Sequence, residues 1–415
     1  MTAEDAMASA IAGPVEAGEL AGAAALVWRK GRGVLMATVG RRDLETGAPV
    51  ERDTIFRIAS LSKPVTTLAA LTLLDERRFD LDEPITACAP EFTHMRVLRN
   101  PDGALEEADA ATRAITFRDL LTHRAGLTVG EFHRGPIRLA YTQQLRGQMD
   151  NDLTPAEWIS RLSTLPLIDQ PGAGFHYGLS TDLLGFLIAR LAGVSLGTLL
   201  KDRVFDPLGM RDTGFFVPAE KRHRRAGLCG FDDTGKLSPL SVAPGGHALA
   251  ERPFGMSYES GGQGLFSTVD DYLSLARELL GESDSTPLLR PETRALMMSN
   301  QLTPDQRAAA RMFGRPLFAA GHGYGMGVAV VMEPDRADPM RCRGGIGTVG
   351  WPGAYGSWWQ ADPNDGSILI FMAHSMSELP QMARGIGLGV WNAIGCFHSF
   401  ATAGDVVQEE SRQTD

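Results

Sequence analysis

Ala23 to Arg29 (AAALVWR), the bend Lys30-Gly31-Arg32-Gly33 and Val34 to Val39 (VLMATV) read as strand, turn and strand. Two short apolar runs around a glycine-containing bend are a hairpin signal. Near the other end, Gly325 to Met332 (GMGVAVVM) and Ser367 to Ala373 (SILIFMA) are again short β-rich runs bounded by Gly, Pro and Asp. The stretch between them is helical in pattern. Thr154-Pro155-Ala156-Glu157 is a capping box with proline at the first helical position, followed by Trp158, Ile159, Leu162 and Leu165 at helical spacing. Ser180 to Leu191 reads as a helix closed by Gly193, and Asp270 to Leu280 as another. The expectation is an α/β (α+β) fold: an antiparallel sheet built from both termini, flanked by helices and interrupted by a mostly helical insertion. Residues 1–80 and 258–400 form the sheet domain in this reading, 81–257 the inserted domain, and 401–415 a polar, frayed tail.

The chain has 415 residues, of which 43% are hydrophobic and 22% charged, an ordinary globular balance that argues against disorder. Forty Lys+Arg against fifty Asp+Glu give a net charge of -10, so the surface repels phosphate backbones and no nucleic-acid partner is expected. No apolar run approaches the roughly 20 residues of a membrane span, and the start, Met1-Thr-Ala-Glu-Asp5, lacks the basic region of a secretory signal. The four cysteines lie far apart with no C-x-x-C pair, which indicates neither a zinc site nor a disulfide framework. A cytoplasmic location with reduced thiols is the expectation.

Three motifs compete for chemistry. Gly193-Val194-Ser195-Leu196-Gly197 is a literal G-x-S-x-G, but a nucleophile elbow needs a strand before its serine, and here a helix precedes it. Gly193 reads as the cap of that helix and Ser195 as the N-cap of the next. Gly345-Ile-Gly-Thr-Val-Gly350 matches G-x-G-x-x-G but runs into Trp351-Pro352, which cannot open a helix, so it reads as a loop.

Ser60-Leu61-Ser62-Lys63 is the third, an S-x-x-K. The chain has only five lysines, and Lys63 alone has a serine three residues before it. The pair sits between a β-like segment (Thr54 to Ala59) and an apolar helical run (Val65 to Leu74). In a helical turn, residues three apart share a face, so the amine reaches the hydroxyl. Unpaired N–H groups at a helix start also favour a developing oxyanion. Pro64 disfavours α geometry at Lys63 and lacks an N–H, so it fits only if the helix starts near Ser60. On spacing alone, an N-cap serine beside a surface lysine reads equally well. An ordinary lysine, with a pKa of about 10.4, is protonated at neutral pH and cannot take the serine proton. Burial, a nearby cation or a partner that shares the proton is required. A tyrosine suits, and Tyr141, Tyr177, Tyr258, Tyr272, Tyr324 and Tyr355 are available.

These residues, in order, resemble the serine β-lactamase-like superfamily: Ser60-Leu-Ser-Lys63-Pro-Val-Thr66, Leu120-Leu-Thr-His-Arg-Ala-Gly-Leu127, Gln170-Pro-Gly-Ala-Gly-Phe-His-Tyr177, Ser180-Thr-Asp-Leu-Leu-Gly185, Pro207-Leu-Gly-Met210, Ser260-Gly-Gly-Gln-Gly-Leu265 and Gly350-Trp-Pro-Gly-Ala-Tyr-Gly356. The set is most similar to the family VIII carboxylesterases, which share the fold of class C β-lactamases and penicillin-binding proteins, and it spans about residues 20 to 375. The resemblance implies Ser60 as nucleophile, Lys63 as its lysine and Tyr177 as the catalytic tyrosine, with the N–H groups of Ser60 and Ala354 as oxyanion hole. It implies no metal and no organic cofactor. His123 and His176 fall inside the motifs and read as structural, because Lys and Tyr fill the base role. Asp182, near a helix start, reads as a capping or dipole partner.

The chain departs from lactamases and peptidases twice. Their Tyr-x-Asn is Tyr177-Gly178-Leu179 here, so the amide that holds a β-lactam side chain is replaced by Leu179. Their Lys-Thr-Gly or His-Thr-Gly aligns with Trp351-Pro352-Gly353, which removes a cation that would hold a substrate carboxylate. Trp351, Gly353, Tyr355 and Leu179 then read as substrate-binding, with Trp351 an apolar wall suited to neutral acyl or alkoxy groups. Trp358 and Trp359 stay open between pocket and packing. The expectation is a serine carboxylesterase of neutral, short- to medium-chain esters, its partner a small-molecule ester, with an oligomeric state that the sequence does not fix. The rivals are a β-lactamase or D-alanyl peptidase, an acyltransferase and, from another class, a non-catalytic binding protein.

Overall fold

The computed structural model describes residues 1–147, 149–242, 248–250, 252–312, 314–318, 321–377, 381–382 and 384–403. Its centre is a seven-stranded sheet of β1 (Gly22–Arg29), β2 (Gly33–Gly40), β3 (His322–Tyr324), β4 (Ala329–Val331), β5 (Val349–Pro352), β6 (Trp358–Asp362) and β7 (Ser367–Ala373). The order is β3-β4-β5-β6-β7-β1-β2 with every neighbour antiparallel. The hairpin β1–β2 therefore joins the C-terminal strands through β7, with Leu26 opposite Ile370. The run Gly325 to Met332 splits: its first residues make the turn after β3, where Gly327 takes φ +74°, and only Ala329–Val331 pairs as a strand.

Alternation along β1 sorts the layers. Ala23, Ala25 and Val27 face the helices Ala3–Glu16 and Gly389–Thr402, packing with Met7, Ile11, Ile394 and Phe397. Ala24, Leu26 and Trp28 face the other way, into the large core that includes the helices Ser62–Asp75 and Val269–Leu280. The same alternation decides the two open tryptophans. Trp358 packs under the terminal helices and Trp359 into the main core, where its ring lies 5.5 Å from Tyr272, so both are packing residues. The C-terminal helix runs to Thr402, past the expected start of the frayed tail at Ala401, and residues 404–415 of that tail lie outside the described residues.

The segment 81–257 supplies helices such as Pro155–Leu162 and Ser180–Ala192, and no strand of the seven-stranded sheet. Thr154 forms the expected reciprocal capping box with Glu157, with Pro155 at the first helical position. Among the described residues no single helix is long and apolar enough to cross a membrane.

Candidate active site

Ser60 sits at the junction of the two-residue strand Phe56–Arg57 and the helix Ser62–Asp75. Ala59 makes the corner with φ +44°, a left-handed conformation that costs an L-residue about 1–2 kcal/mol. A 3-10 turn over Ala59–Leu61 runs straight into the helix, so Pro64 falls in its first turn, where a missing N–H costs no intrahelical bond. Neighbouring segments hold this turn from the far side. The Ile58 N–H donates to the Leu265 carbonyl at 3.0 Å, Thr66 donates to the Gly261 carbonyl at 2.7 Å, and Tyr272 donates to the Leu61 carbonyl at 3.0 Å.

Three side chains converge on one oxygen. The Tyr177 hydroxyl donates to Ser60 Oγ at 2.8 Å, and Lys63 Nζ donates to the same oxygen at 3.3 Å. Lys63 is buried and also donates to the Gly262 carbonyl at 2.9 Å, while its Nζ lies 4.7 Å from the centre of the Tyr177 ring. Ser60 is 8% exposed.

Tyr177 is placed by its backbone and by aromatic neighbours. The His176 N–H donates to the His123 carbonyl at 2.8 Å, and Gly178 lies so close to Thr128 that a Cβ would fall 2.6 Å from its carbonyl carbon. The His123 ring packs 4.9 Å from the Tyr177 ring. Burial, with the Lys63 charge nearby, pushes His123 far below the ordinary imidazole range, so this ring is neutral packing beside the site. His176 pairs with Asp169 at 2.8 Å on the half-exposed side.

Trp351 does more than wall the site. Its indole N–H donates to the Tyr177 oxygen at 3.0 Å, which leaves the phenol's own proton free to point at Ser60. Behind it, the Arg341 guanidinium lies 5.4 Å over the indole ring, and burial lowers the Arg341 pKa. This cation has no motif to announce it. It stands behind the tryptophan that occupies the position of the family's Lys or His.

Asp182 also exceeds its expected capping role. It is fully buried, accepts from the Ser260 hydroxyl and from the Gly262 N–H at 3.2 Å, and so fixes the carbonyl that holds Lys63. Burial raises its pKa, against the Lys63 charge and those hydrogen bonds. The small residues Ser260-Gly261-Gly262 are its sequence signal, since a Cβ on Gly262 would sit 2.6 Å from an Asp182 oxygen.

Ala354 is exposed at the turn after β5, and among the described residues no hydrogen-bond partner is found for its N–H or for that of Ser60. Gly353 brings this turn against the segment that leads into Ser60: a Cβ there would lie 2.7 Å from the Ile58 carbonyl oxygen. Its role is close approach of backbone to backbone. Tyr355 is 1% exposed and its hydroxyl meets the Met149 sulfur at 3.4 Å, and Leu179 is buried in the main core at the start of the helix Ser180–Ala192. Neither side chain lies on an open surface of the site.

The decoys take the places expected of them. Gly193 closes the helix Ser180–Ala192 in the left-handed conformation, and Ser195 caps the next helix by accepting from the Thr198 N–H. Of the Gly345–Gly350 segment, residues 345–348 form a loop whose Gly345 N–H donates to Asp362 at 2.8 Å, and Val349 and Gly350 already pair in β5, so the motif runs into a strand and opens no helix. Among the described residues no group of three or more His, Cys, Asp or Glu is placed to hold a metal ion.

A serine whose oxygen accepts from a buried lysine and a tyrosine, in a chain built on a seven-stranded antiparallel sheet, matches the serine β-lactamase-like hydrolase fold. The chain belongs to the β-lactamase family, whose profile, described as Beta-lactamase, matches residues 7–388. It is 39% identical over 366 residues to Protein Rv1367c of Mycobacterium tuberculosis (strain ATCC 25618 / H37Rv), covering 88% of each chain. It is 30% identical over 376 residues to Esterase EstB of Burkholderia gladioli, covering 86% of this chain and 87% of that one. The solved structure of "EstCE1, a hydrolase with promiscuous acyltransferase activity" superposes with a TM-score of 0.75 at 26% identity, covering 94% of this chain and 98% of that one.

Proposed function

We propose that the protein is a serine carboxylesterase of the family VIII type, hydrolysing neutral, short- to medium-chain esters through an acyl-enzyme on Ser60. The observation that carries this reading is the convergence of Tyr177 and Lys63 on Ser60 Oγ at 2.8 and 3.3 Å. In the first step Ser60 Oγ bonds to the ester carbonyl carbon while its proton passes to the coupled Lys63–Tyr177 pair. The carbonyl oxygen becomes an oxyanion held by the N–H groups of Ser60 and Ala354, where one such donor is typically worth about 100- to 1000-fold. Collapse breaks the bond to the alcohol oxygen, which takes the proton from Tyr177. Water then repeats the sequence on the acyl-enzyme and frees the acid.

Neutral substrates follow from the wall around Tyr177. The indole of Trp351 stands where a carboxylate-binding cation would, and Arg341 lies behind that ring. A fluorophosphonate probe tests the nucleophile: the adduct is expected on Ser60, and an adduct on Ser195 or elsewhere refutes the assignment. Turnover of a short p-nitrophenyl ester is expected to exceed that of nitrocefin, and the reverse order would make the protein a β-lactamase. EstCE1, a hydrolase with acyltransferase activity, favours a second reading in which an alcohol replaces water in the second step. Adding a primary alcohol during ester turnover and measuring the new ester separates the two.

A further inference from the structure

A second cation stands one ring away from Tyr177. The chain around Arg341 is held between two strands of the sheet. The Arg341 N–H donates to the Asp338 carbonyl at 3.0 Å and closes a turn. His322 of β3 donates to the Cys342 carbonyl at 2.8 Å, and a Cβ on Gly350 of β5 would fall 2.9 Å from the Cys342 Cβ. Cys342 packs in one cluster with Trp351, Phe175 and Tyr324, against which Tyr177 also rests. The Arg341 guanidinium carbon then lies 5.4 Å from the centre of the Trp351 ring, within the range of a cation–π contact.

The local fold does not use this charge. Among the described residues the buried Nε of Arg341 has no hydrogen-bond partner, and the carboxylate of Asp338 accepts from the Met340 N–H at 2.9 Å. A guanidinium stays charged even where burial opposes it. The acids whose charge reaches it are Asp338, Tyr177 and Cys342. Tyr177 in turn is faced by Lys63, by the neutral His123 ring and by Trp351. Lys63 donates to Ser60 Oγ and to the Gly262 carbonyl, whereas the Tyr177 oxygen accepts from the Trp351 indole. When a leaving alcohol takes the Tyr177 proton, the phenol O–H bond breaks and its electron pair stays on the phenol oxygen. A cation over the indole face draws electron density from that ring and strengthens its N–H as a donor to the oxygen where negative charge develops.

Resting on the esterase reading, we propose that Arg341 is a positioning residue for protonation of the leaving alcohol, acting through the Trp351 indole on the Tyr177 oxygen. The test compares kcat/KM on ethyl butyrate and on p-nitrophenyl butyrate, which form the same acyl-enzyme. Ethoxide needs a proton to leave and p-nitrophenolate does not. Arg341→Met is expected to lower the ethyl ester value about tenfold and the p-nitrophenyl value by no more than about twofold. Arg341→Lys, which keeps a cation able to lie over the indole, is expected to return the ethyl ester value to within about threefold of the native chain. In a Trp351→Phe background, Arg341→Met is expected to cost no more than about twofold on either ester, because the indole that couples the two residues is gone. Arg341→Gln, neutral and polar, takes the place of the methionine variant if that one does not fold. Equal losses on the two esters overturn the proposal, as does a full tenfold loss in the Trp351→Phe background or a lysine variant no better than methionine. A native chain that cleaves the p-nitrophenyl ester but not the ethyl ester overturns it too, and leaves the esterase reading standing. No turnover of any ester by the native chain refutes the esterase reading and this proposal with it.

Discussion

Ser60 and Ser195 both match a hydrolase motif, and both stand at a helix start. What surrounds them differs. The Ser195 hydroxyl accepts from the Thr198 N–H at 3.2 Å and is exposed, so its lone pairs serve the helix. Ser195 itself is extended, at φ -66° and ψ 157°. Ser60 makes no such cap. It follows a left-handed Ala59, and Lys63 and Tyr177 both donate to its oxygen. A serine becomes a nucleophile through the groups that face its oxygen, and a motif is informative only insofar as its geometry brings those groups in.

The largest expected effect breaks the comparison in one measurement. Ser60→Ala is expected to lower kcat/KM on a p-nitrophenyl ester by about 10,000-fold or more, because the nucleophile and its partners act as a unit. Ser195→Ala is expected to stay within about twofold of the native chain, as a surface change away from the chemistry. Comparable losses in the two variants would mean that the contrast in surroundings has been misjudged.

A smaller effect sharpens the contrast at one remove. Trp351→Phe keeps an aromatic ring beside Tyr177 but loses the 3.0 Å hydrogen bond to its oxygen. One neutral hydrogen bond is worth about 0.5–1.5 kcal/mol, so kcat is expected to fall about tenfold with KM little changed. Trp359→Phe is the matched control: it sits in the core under the sheet, and its indole nitrogen has no partner among the described residues. It is expected to cost stability and leave kcat alone. Steady-state kinetics on both variants, with thermal denaturation alongside, make the check.

Legibility in the sequence followed the range of the interactions concerned. The β1–β2 hairpin and β7 are local patterns, apolar runs with glycine bends, and their boundaries in the structure differ by at most a residue from the reading. The short strands β5 and β6 carry no local strand signal, because Gly350-Trp351-Pro352 contains proline and glycine and its pairing with Trp358–Gln360 comes from the sheet. In the helix Ala3–Glu16, Pro14 and the alanines give little periodic signal, and its apolar face packs in one cluster with residues of β1 and β2. At the site, Ser60 and Lys63 are linked by helical spacing, whereas Tyr177 is 117 residues from Ser60 and only the family resemblance points to it. Alignment alone points Tyr355 and Leu179 at substrate, and burial of both side chains is information that alignment does not carry. Asp182 and Arg341 act through contacts across the fold that no local spacing encodes.

The smallest expected effect tests the relaxed half of the comparison. In Ser195→Ala the Thr198 N–H loses its side-chain acceptor, but the position is exposed and water replaces the hydroxyl. The adjacent Gly197 N–H keeps its own acceptor, Glu259, at 2.8 Å, so the helix start is only partly uncapped. Loss of a serine cap costs about 0.5–2 kcal/mol, typically near 1, and for a chain of this length that lowers Tm by about 1 °C. Ser195→Asp retains a capping oxygen at a helix start, where negative charge is favoured, and is expected to match the native chain. Chemical denaturation resolves the alanine difference, provided the two aspartate and alanine proteins unfold with the same m-value. An alanine variant as stable as the aspartate variant would show that Ser195 contributes nothing as a cap, and would remove the structural explanation for a serine at that motif.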